Sequence, residues 1–197
     1  YSIEIMQTFV ASSDFHASMS CLDKSRLGNQ VYREGLTLLR GGWSHHPASR
    51  IWLSYRGGDY RHALCNYLLA GIDVLESRGL FYPTVKTELL ETRDKYPDIG
   101  NPGWIGDEQV HSSHRSRLLF KGRVDAACRA LKRQIKPQSV VNWLKINGYP
   151  EKHAFKQEHI GLLENYLQKA GLDNVETNWY SQFGWSEDDK QQYVWPE

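Results

Sequence analysis

Residues 20–42 read SCLDKSRLGNQVYREGLTLLRGG, and this stretch decides the class of fold. At about 100° per residue, one side of a helix carries only small or apolar side chains: Leu27, Val31, Gly35 and Leu38. The adjacent side carries charged and amide groups: Asp23, Arg26, Gln30, Arg33 and Glu34. The glycine pair at the end of the stretch stops a helix. The pattern therefore predicts a helix over residues 20–39.

Further helical patterns lie on both sides of this stretch. They predict a short helix through Ile51 and Trp52, a helix over residues 108–121, and a second long helix over residues 59–78 with an apolar stripe: Leu64, Tyr67, Leu68, Gly71, Ile72 and Leu75. Residues 3–10 alternate only weakly, which predicts a short strand or an extended arm. Three more helices are predicted over residues 124–135, 139–146 and 153–170, the last with the apolar stripe Ile160, Leu163 and Leu167. The expected fold is mainly α, a compact single domain over residues 1–197 with a helical insertion at 122–175.

Composition limits the class of protein. The chain has 197 residues, of which 40% are apolar and 24% charged, as in ordinary globular proteins. No apolar run is long enough to cross a membrane, and the first residues lack a signal-peptide pattern. The three cysteines are far apart, which predicts small buried residues in a reducing compartment: Cys21, Cys65 and Cys128. The usual motifs of nucleoside-triphosphate, Rossmann-cofactor and serine-hydrolase chemistry are absent.

The net charge of +1 hides a local asymmetry. Between His111 and Lys136 the chain carries eight Lys or Arg residues and one acid, Asp125. Such a basic face is typical of a polyanion-binding surface. A solvated helical face remains the alternative.

The polar side of the helix at 20–39 could carry chemistry. Asp23, Arg26, Gln30 and Glu34 project together, and a carboxylate held beside an arginine stays ionised and could move protons. The structural alternative is a capping box, because Ser20 and Asp23 have its spacing.

Two other clusters have two interpretations each. His111 and His114 share a helical face and could join His45, His46 or His62 in a metal site, although phosphate contact by His114, Arg115, Arg117 and Lys121 is favoured. The aromatic residues from Trp179 onward, Tyr180 included, either close the core or offer stacking faces to a nucleic acid.

Several segments in the same order resemble the pyrimidine-dimer DNA glycosylase/AP-lyase family. They are MQTF at 6–9 with SDF at 13–15, LDKSRLGNQ at 22–30, WSHHPA at 43–48 with Ile51-Trp52, PGWIGDE at 102–108 with HSSHRS at 111–116, WYSQFG at 179–184 and YVWP at 193–196. The resemblance covers about residues 6–121 and 178–196. The segment 122–175 lies outside it.

This resemblance implies a compact, mainly helical fold of the endonuclease V type. It implies that the protein binds duplex DNA, flips a nucleotide out and cuts the glycosidic bond without a metal or cofactor. An N-terminal amine attacks C1′, a Schiff base forms, and β-elimination nicks the strand. By position, Asp23 is the acid and His16 lies near the same site. The DNA contacts implied in the first half of the chain are Lys24, Arg26, Gln30 and Arg33. Those implied further on are His114, Arg115, Arg117, Lys121, Trp179 and Tyr180.

The start of the chain departs from the family pattern. Five residues precede Met6, and Gln7 is too large for efficient removal of a methionine before it. If the protein starts at Met6, the reactive amine belongs to Met6. If it starts at Tyr1, the amine lies elsewhere or is absent, and Lys24 is the fallback nucleophile. The acid is Asp, one methylene shorter than Glu.

The leading hypothesis is therefore a monomeric DNA glycosylase with AP-lyase activity, acting in a bacterial cell or a phage-infected host. It excises a damaged or modified pyrimidine and has no membrane partner. Two alternatives remain: a non-catalytic DNA-binding module that uses the basic face at 111–136, and a histidine-dependent metal nuclease.

Overall fold

The computed structural model describes residues 7–134, 142, 144–149, 155–171, 178–186 and 193–196. The helices are α1 (Phe15–Ser20), α2 (Lys24–Asn29), α3 (Leu36–Leu39), α4 (Pro47–Leu53), α5 (Arg61–Ser77), α6 (Pro83–Lys95), α7 (Glu108–Gln134) and α8 (Gln157–Lys169). A π-helical segment (Gln30–Gly35) joins α2 to α3, and 3₁₀ turns occupy Tyr55–Gly57 and Trp179–Phe183. No strand occurs in these described ranges. The prediction of a mainly α fold is confirmed.

The chain divides into two compact units, Tyr1–Arg115 with Gln192–Glu197, and Ser116–Gln191. In the first unit α5 is central, because α1, the segment from α2 to α3, α4 and α6 all pack against it. The apolar stripe predicted for this helix is buried, and the helix runs from Arg61 to Ser77 within the predicted 59–78. Close approach of two helices requires glycine at this contact: a Cβ on Gly35 would lie 2.3 Å from Leu68 Cδ2, and one on Gly71 would lie 2.7 Å from Val31 Cγ2.

The predicted helix at 20–39 is wrong at its start. The chain turns at residues 21–23, and Asp23 caps the N-terminus of α2 by accepting the Arg26 N–H at 3.0 Å. Asp23 is thus the N-cap residue itself, so the predicted capping box with Ser20 does not form. Further along, the π segment fits one extra residue into the turn. The helix ends at Leu39, as the glycine pair predicted.

Two helices were not expected from the sequence. Helix α1 begins after Asp14, whose carboxylate accepts the Ala17 N–H at 2.8 Å. Helix α6 begins with Pro83 at its first position, where proline is favoured because no N–H partner is lost.

The second unit has a core built by α7 and α8. Phe120, Val124 and Leu131 of α7 pack with Ile160, Leu163 and Leu167 of α8, which confirms the apolar stripe predicted for the latter. The break predicted between residues 121 and 124 is wrong, because α7 continues through Gly122. A Cβ there would lie 1.9 Å from Asn178 Oδ1, so this glycine permits close packing rather than ending the helix.

Helix α8 is shorter than the predicted 153–170. In the helix predicted over 139–146, the described residues 142 and 144–146 are helical, and the other four lie outside the described residues. Cys21, Cys65 and Cys128 are buried and form no disulfide with one another, as predicted. Burial raises the pKa of Cys21 and of Cys65 to about 12, so neither thiol is reactive at neutral pH.

The single domain with an insertion at 122–175 stays a prediction. Within the part of the chain that the structure describes, no helix has the length and apolar character to cross a bilayer.

Candidate active site

Residues 7–11 form a buried, extended segment in the first unit, here called the clamped segment. All five side chains are less than a tenth exposed. The segment belongs to no helix, so its peptide groups need partners from elsewhere in the chain. Those partners are side chains, and they come from distant parts of the sequence.

Gln30 of the π segment makes two of these contacts. Its Oε1 accepts the Phe9 N–H at 2.6 Å, and its Nε2 donates to the Gln7 carbonyl at 3.1 Å. One amide side chain thereby fixes both the position and the direction of the clamped segment.

Two tyrosine hydroxyls hold the next carbonyls. Tyr67 of α5 donates to the Phe9 carbonyl at 2.7 Å, and Tyr193 donates to the Thr8 carbonyl. Burial raises the pKa of both phenols well above the usual value near 10, so both stay protonated donors at any physiological pH. The indole of Trp52 donates to Thr8 Oγ1 at 3.2 Å.

Two histidines of α7 bracket Val10. His111 Nδ1 lies 2.7 Å from the Val10 carbonyl and acts as the donor, while its Nε2 accepts the Gly106 N–H at 2.9 Å. The Val10 N–H donates to His114 Nδ1 at 3.0 Å. Burial, together with His111 and Arg115 nearby, lowers the pKa of His114 to about 3, so this ring is neutral near pH 7.

Arg115 completes the set of contacts. Its Nη1 donates to the Ala11 carbonyl at 2.8 Å, and its other terminal nitrogen pairs with Glu108. From Gln7 to Ala11 every carbonyl therefore has a side-chain donor, as do the N–H groups of Phe9 and Val10. The backbone of the clamped segment is therefore fixed from Gln7 onward. The residue that precedes it in the sequence is Met6, the predicted nucleophile, which lies outside the described residues.

The helix that carries Gln30 also carries the predicted acid. Asp23 pairs with Arg26 at 2.7 Å, and both side chains are about one-fifth exposed. The structure brings these two predicted residues together. Lys24 and Arg33 are exposed on the same stretch, whereas His16 is exposed on α1, with Ser20 Oγ 3.3 Å from its ring.

Four of the residues predicted to contact DNA are buried, and two of these lie against the clamped segment. Gln30 and His114 are buried, and each is bonded to the backbone of the clamped segment. A side chain in that position supports the fold, and contact of these two residues with DNA stays a prediction. A sequence pattern shows which residues share a helix face, but it does not show whether a distant part of the chain covers that face.

Sequence reasoning gave too little weight to Glu34. It lies four residues after Gln30, one of its carboxylate oxygens is buried, and it is close enough to raise the pKa of Tyr193. Tyr193 itself bonds to Thr8. Glu34 is thus a carboxylate in the electrostatic surroundings of Tyr193, which bonds to the clamped segment. In the sequence, the four-residue helical spacing between Gln30 and Glu34 could have indicated this position.

In the second unit, Arg117 is buried with its guanidinium 5.2 Å from the Phe120 ring centre, and Lys121 is half-buried. Tyr180 is fully buried against Trp185, with ring centres 6.1 Å apart, so it closes the core. Trp179 is 42% exposed.

The basic stretch is partly neutralised within the fold. Arg123 pairs with Glu164 at 2.8 Å, and Arg115 with Glu108. Among the residues that the structure describes, no three of His, Cys, Asp and Glu stand close enough to hold a metal ion. His111 in particular uses both ring nitrogens on backbone groups.

The fold and the site together define a class: a mainly helical protein that holds an extended segment against a helix carrying carboxylates and an arginine. A comparison of the chain with protein-family models finds that residues 6–88 match the family described as pyrimidine dimer DNA glycosylase. The match spans the clamped segment and both carboxylates of the neighbouring helix. The resemblance found in the sequence is confirmed over these residues, and it points to DNA repair and to glycosylase activity in general. No curated protein sequence and no solved structure matches the chain.

Proposed function

We propose that the protein is a DNA glycosylase with AP-lyase activity that excises a damaged or modified pyrimidine from duplex DNA. A pyrimidine dimer is the substrate that the matched family indicates. The observation that carries the proposal is the family match over residues 6–88. The clamped segment supports it, because an amine just before Gln7 would start from a fixed point.

The proposed reaction begins with that amine. An α-amine has a pKa of about 7.7–8.0, so much of it is unprotonated near neutral pH. Its nitrogen attacks C1′ and the glycosidic bond breaks, with the bonding electrons leaving on the base, which takes up a proton. The C1′–N adduct opens to a protonated Schiff base. Loss of a C2′ proton then expels the 3′ phosphate and nicks the strand.

A carboxylate is needed to stabilise the cationic sugar and to move protons. Asp23 is the candidate by its place in the first-helix segment, and it is held by Arg26. Glu34 is the competing candidate, because it lies on the same stretch of helix and acts electrostatically on Tyr193, which bonds to the clamped segment. Trapping with Asp23→Asn and with Glu34→Gln, each compared with wild type, decides between them.

Flipping a nucleotide costs a few kcal/mol, and less where pairing is already damaged. Lys24, Arg26 and Arg33 are the proposed phosphate contacts, His16 is a proposed neighbour of the reacting nucleotide, and Trp179 is a proposed stacking residue. We further propose that the protein acts as a monomer in the cytoplasm of a bacterial cell or a phage-infected host.

The experiment is sodium-borohydride trapping on a duplex with one abasic site. Two proteins are compared, one beginning at Met6 and one beginning at Tyr1. A covalent complex reduced by borohydride is expected with the Met6 start, because its α-amine directly precedes the clamped segment. Lys24→Arg in the Met6-start protein is the control for a lysine nucleophile and should trap as wild type does.

Equal trapping by both proteins would instead assign the nucleophile to Lys24 or to the amine of Tyr1. Trapping by neither, with salt-sensitive DNA binding and no base release from UV-irradiated DNA, would replace the enzyme by a DNA-binding module.

A further inference from the structure

Trp43 is an exposed aromatic residue in a strained backbone conformation. It lies in the turn between α3 and α4, its side chain is 58% exposed, and its φ is +58°. Positive φ suits glycine, and a bulky residue there is uncommon and costly. Neither core packing nor the turn itself explains a tryptophan at this position.

The turn holds Trp43 in this strained conformation. The Trp43 carbonyl accepts two hydrogen bonds at 2.7 Å, from the His46 N–H and from Ser49 Oγ. His46 also begins α4, where its Nδ1 accepts the Ala48 N–H at 3.1 Å. The indole is therefore presented to solvent from an anchored backbone.

A row of rings connects Trp43 to the clamped segment. The ring centres of Trp43 and His46 are 6.1 Å apart, and those of His46 and Trp195 are 5.6 Å apart, both edge to face. Trp195 lies 4.4 Å from Tyr193, whose hydroxyl bonds to Thr8. We call Trp43, His46 and Trp195 the aromatic ledge.

We propose that the aromatic ledge is a stacking site for an unpaired nucleobase, with Trp43 as its principal face. Strained residues persist where the surrounding structure enforces them, and they concentrate at ligand-binding positions. Every nucleobase offers a flat π-face to an indole. A base paired within a duplex has both faces covered by its neighbours, so the ledge selects a base that has left the stack.

The position of the ledge favours this occupant over a peptide. Its inner end is joined by Tyr193 to the segment that follows Met6, which is where the reacting nucleotide would lie. The inference rests on the proposed function and adds to it a base-recognition site on α4 and the turn before it.

The test measures the preference for an unpaired base directly. Two fluorescently labelled duplexes are used, identical except that one carries a single bulged adenine. The ratio of their dissociation constants is measured by anisotropy with the full chain. Trp43→Gly is the main variant, because glycine suits φ of +58° and should melt at or above the wild-type temperature.

Trp43→Gly should lower the preference for the bulged duplex about tenfold, the size of one lost base–aromatic stack. Trp43→Tyr should restore most of it. Phe81→Ala is the matched control, because Phe81 is 71% exposed elsewhere in the first unit and should leave both constants unchanged.

A preference that survives in Trp43→Gly overturns the proposal, and so does an equal loss of affinity for both duplexes, which would indicate a general contact. If wild-type protein is trapped on abasic DNA but shows no preference for the bulged duplex, the proposal that the aromatic ledge binds a base is wrong and the proposed function stands. Wild-type protein that neither binds DNA nor is trapped overturns the proposed function as well.

Discussion

The clamped segment and the core between α7 and α8 are held by opposite means. In the core, Ile160, Leu163 and Leu167 pack against apolar residues of α7 at helical spacing. In the clamped segment, hydrogen bonds from single side chains fix individual peptide groups, and those side chains lie 21 to 185 residues away. Apolar packing tolerates exchange among residues of similar volume, whereas a buried hydrogen bond requires one particular group. The clamped segment, whose backbone is fixed in position, is held by such buried hydrogen bonds.

The largest expected effect lies in the apolar region. Leu163→Ala should lower the free energy of unfolding by about 3 kcal/mol, because it removes transfer energy and leaves a cavity. Leu163→Met, which keeps the volume, should cost less than about 1.5 kcal/mol. Urea unfolding measures both. Equal losses would mean that this core depends on shape as strictly as the clamped segment does.

A smaller effect is expected at Gln30. Gln30→Leu should cost about 2 kcal/mol, because the Phe9 N–H and the Gln7 carbonyl would be buried without partners. Gln30→Glu should cost a similar amount, since a carboxylate oxygen would face that carbonyl. Ser25→Ala, exposed on α2, is the control in the same urea titration. If Gln30→Leu leaves the free energy of unfolding unchanged, the two regions do not differ in their tolerance of substitution.

The smallest expected effect is the pH dependence that comes from His114. Its pKa is about 3 in the folded protein and near 6.5 when unfolded, so the unfolded chain binds more protons between these values. The stability is complete above about pH 6.5 and declines as the pH falls. From pH 6 to pH 5 the loss should be about 1 kcal/mol. His114→Asn keeps an acceptor near the Val10 N–H but does not titrate, so its unfolding free energy should change less over the same interval. Parallel pH curves would show that His114 contributes none of the slope.

The same contrast explains what the sequence could predict. The stripes of α5 and α8 repeat at the helical period, so the burial of Leu68 and Leu163 followed from local spacing. The break predicted between residues 121 and 124 is wrong, because the neighbour that explains Gly122, Asn178, is distant in sequence and no local pattern reveals it. Asp23 and Arg26 were predicted together because they are three residues apart. The burial of Gln30 and His114 depends on a segment that lies far from both, and no local pattern reports it.

The bond between Tyr193 and Thr8 spans 185 residues, and it sets an order of events during synthesis. At about 5–20 residues per second, Thr8 is incorporated about 10 to 40 s before its partner, Tyr193, is made. Loop closure over that distance is slow as well as late. The clamped segment is therefore among the last of the described parts of the chain to reach its final place. We expect a nascent chain that stops short of Tyr193 to fold its helices while this arm is still incompletely bonded.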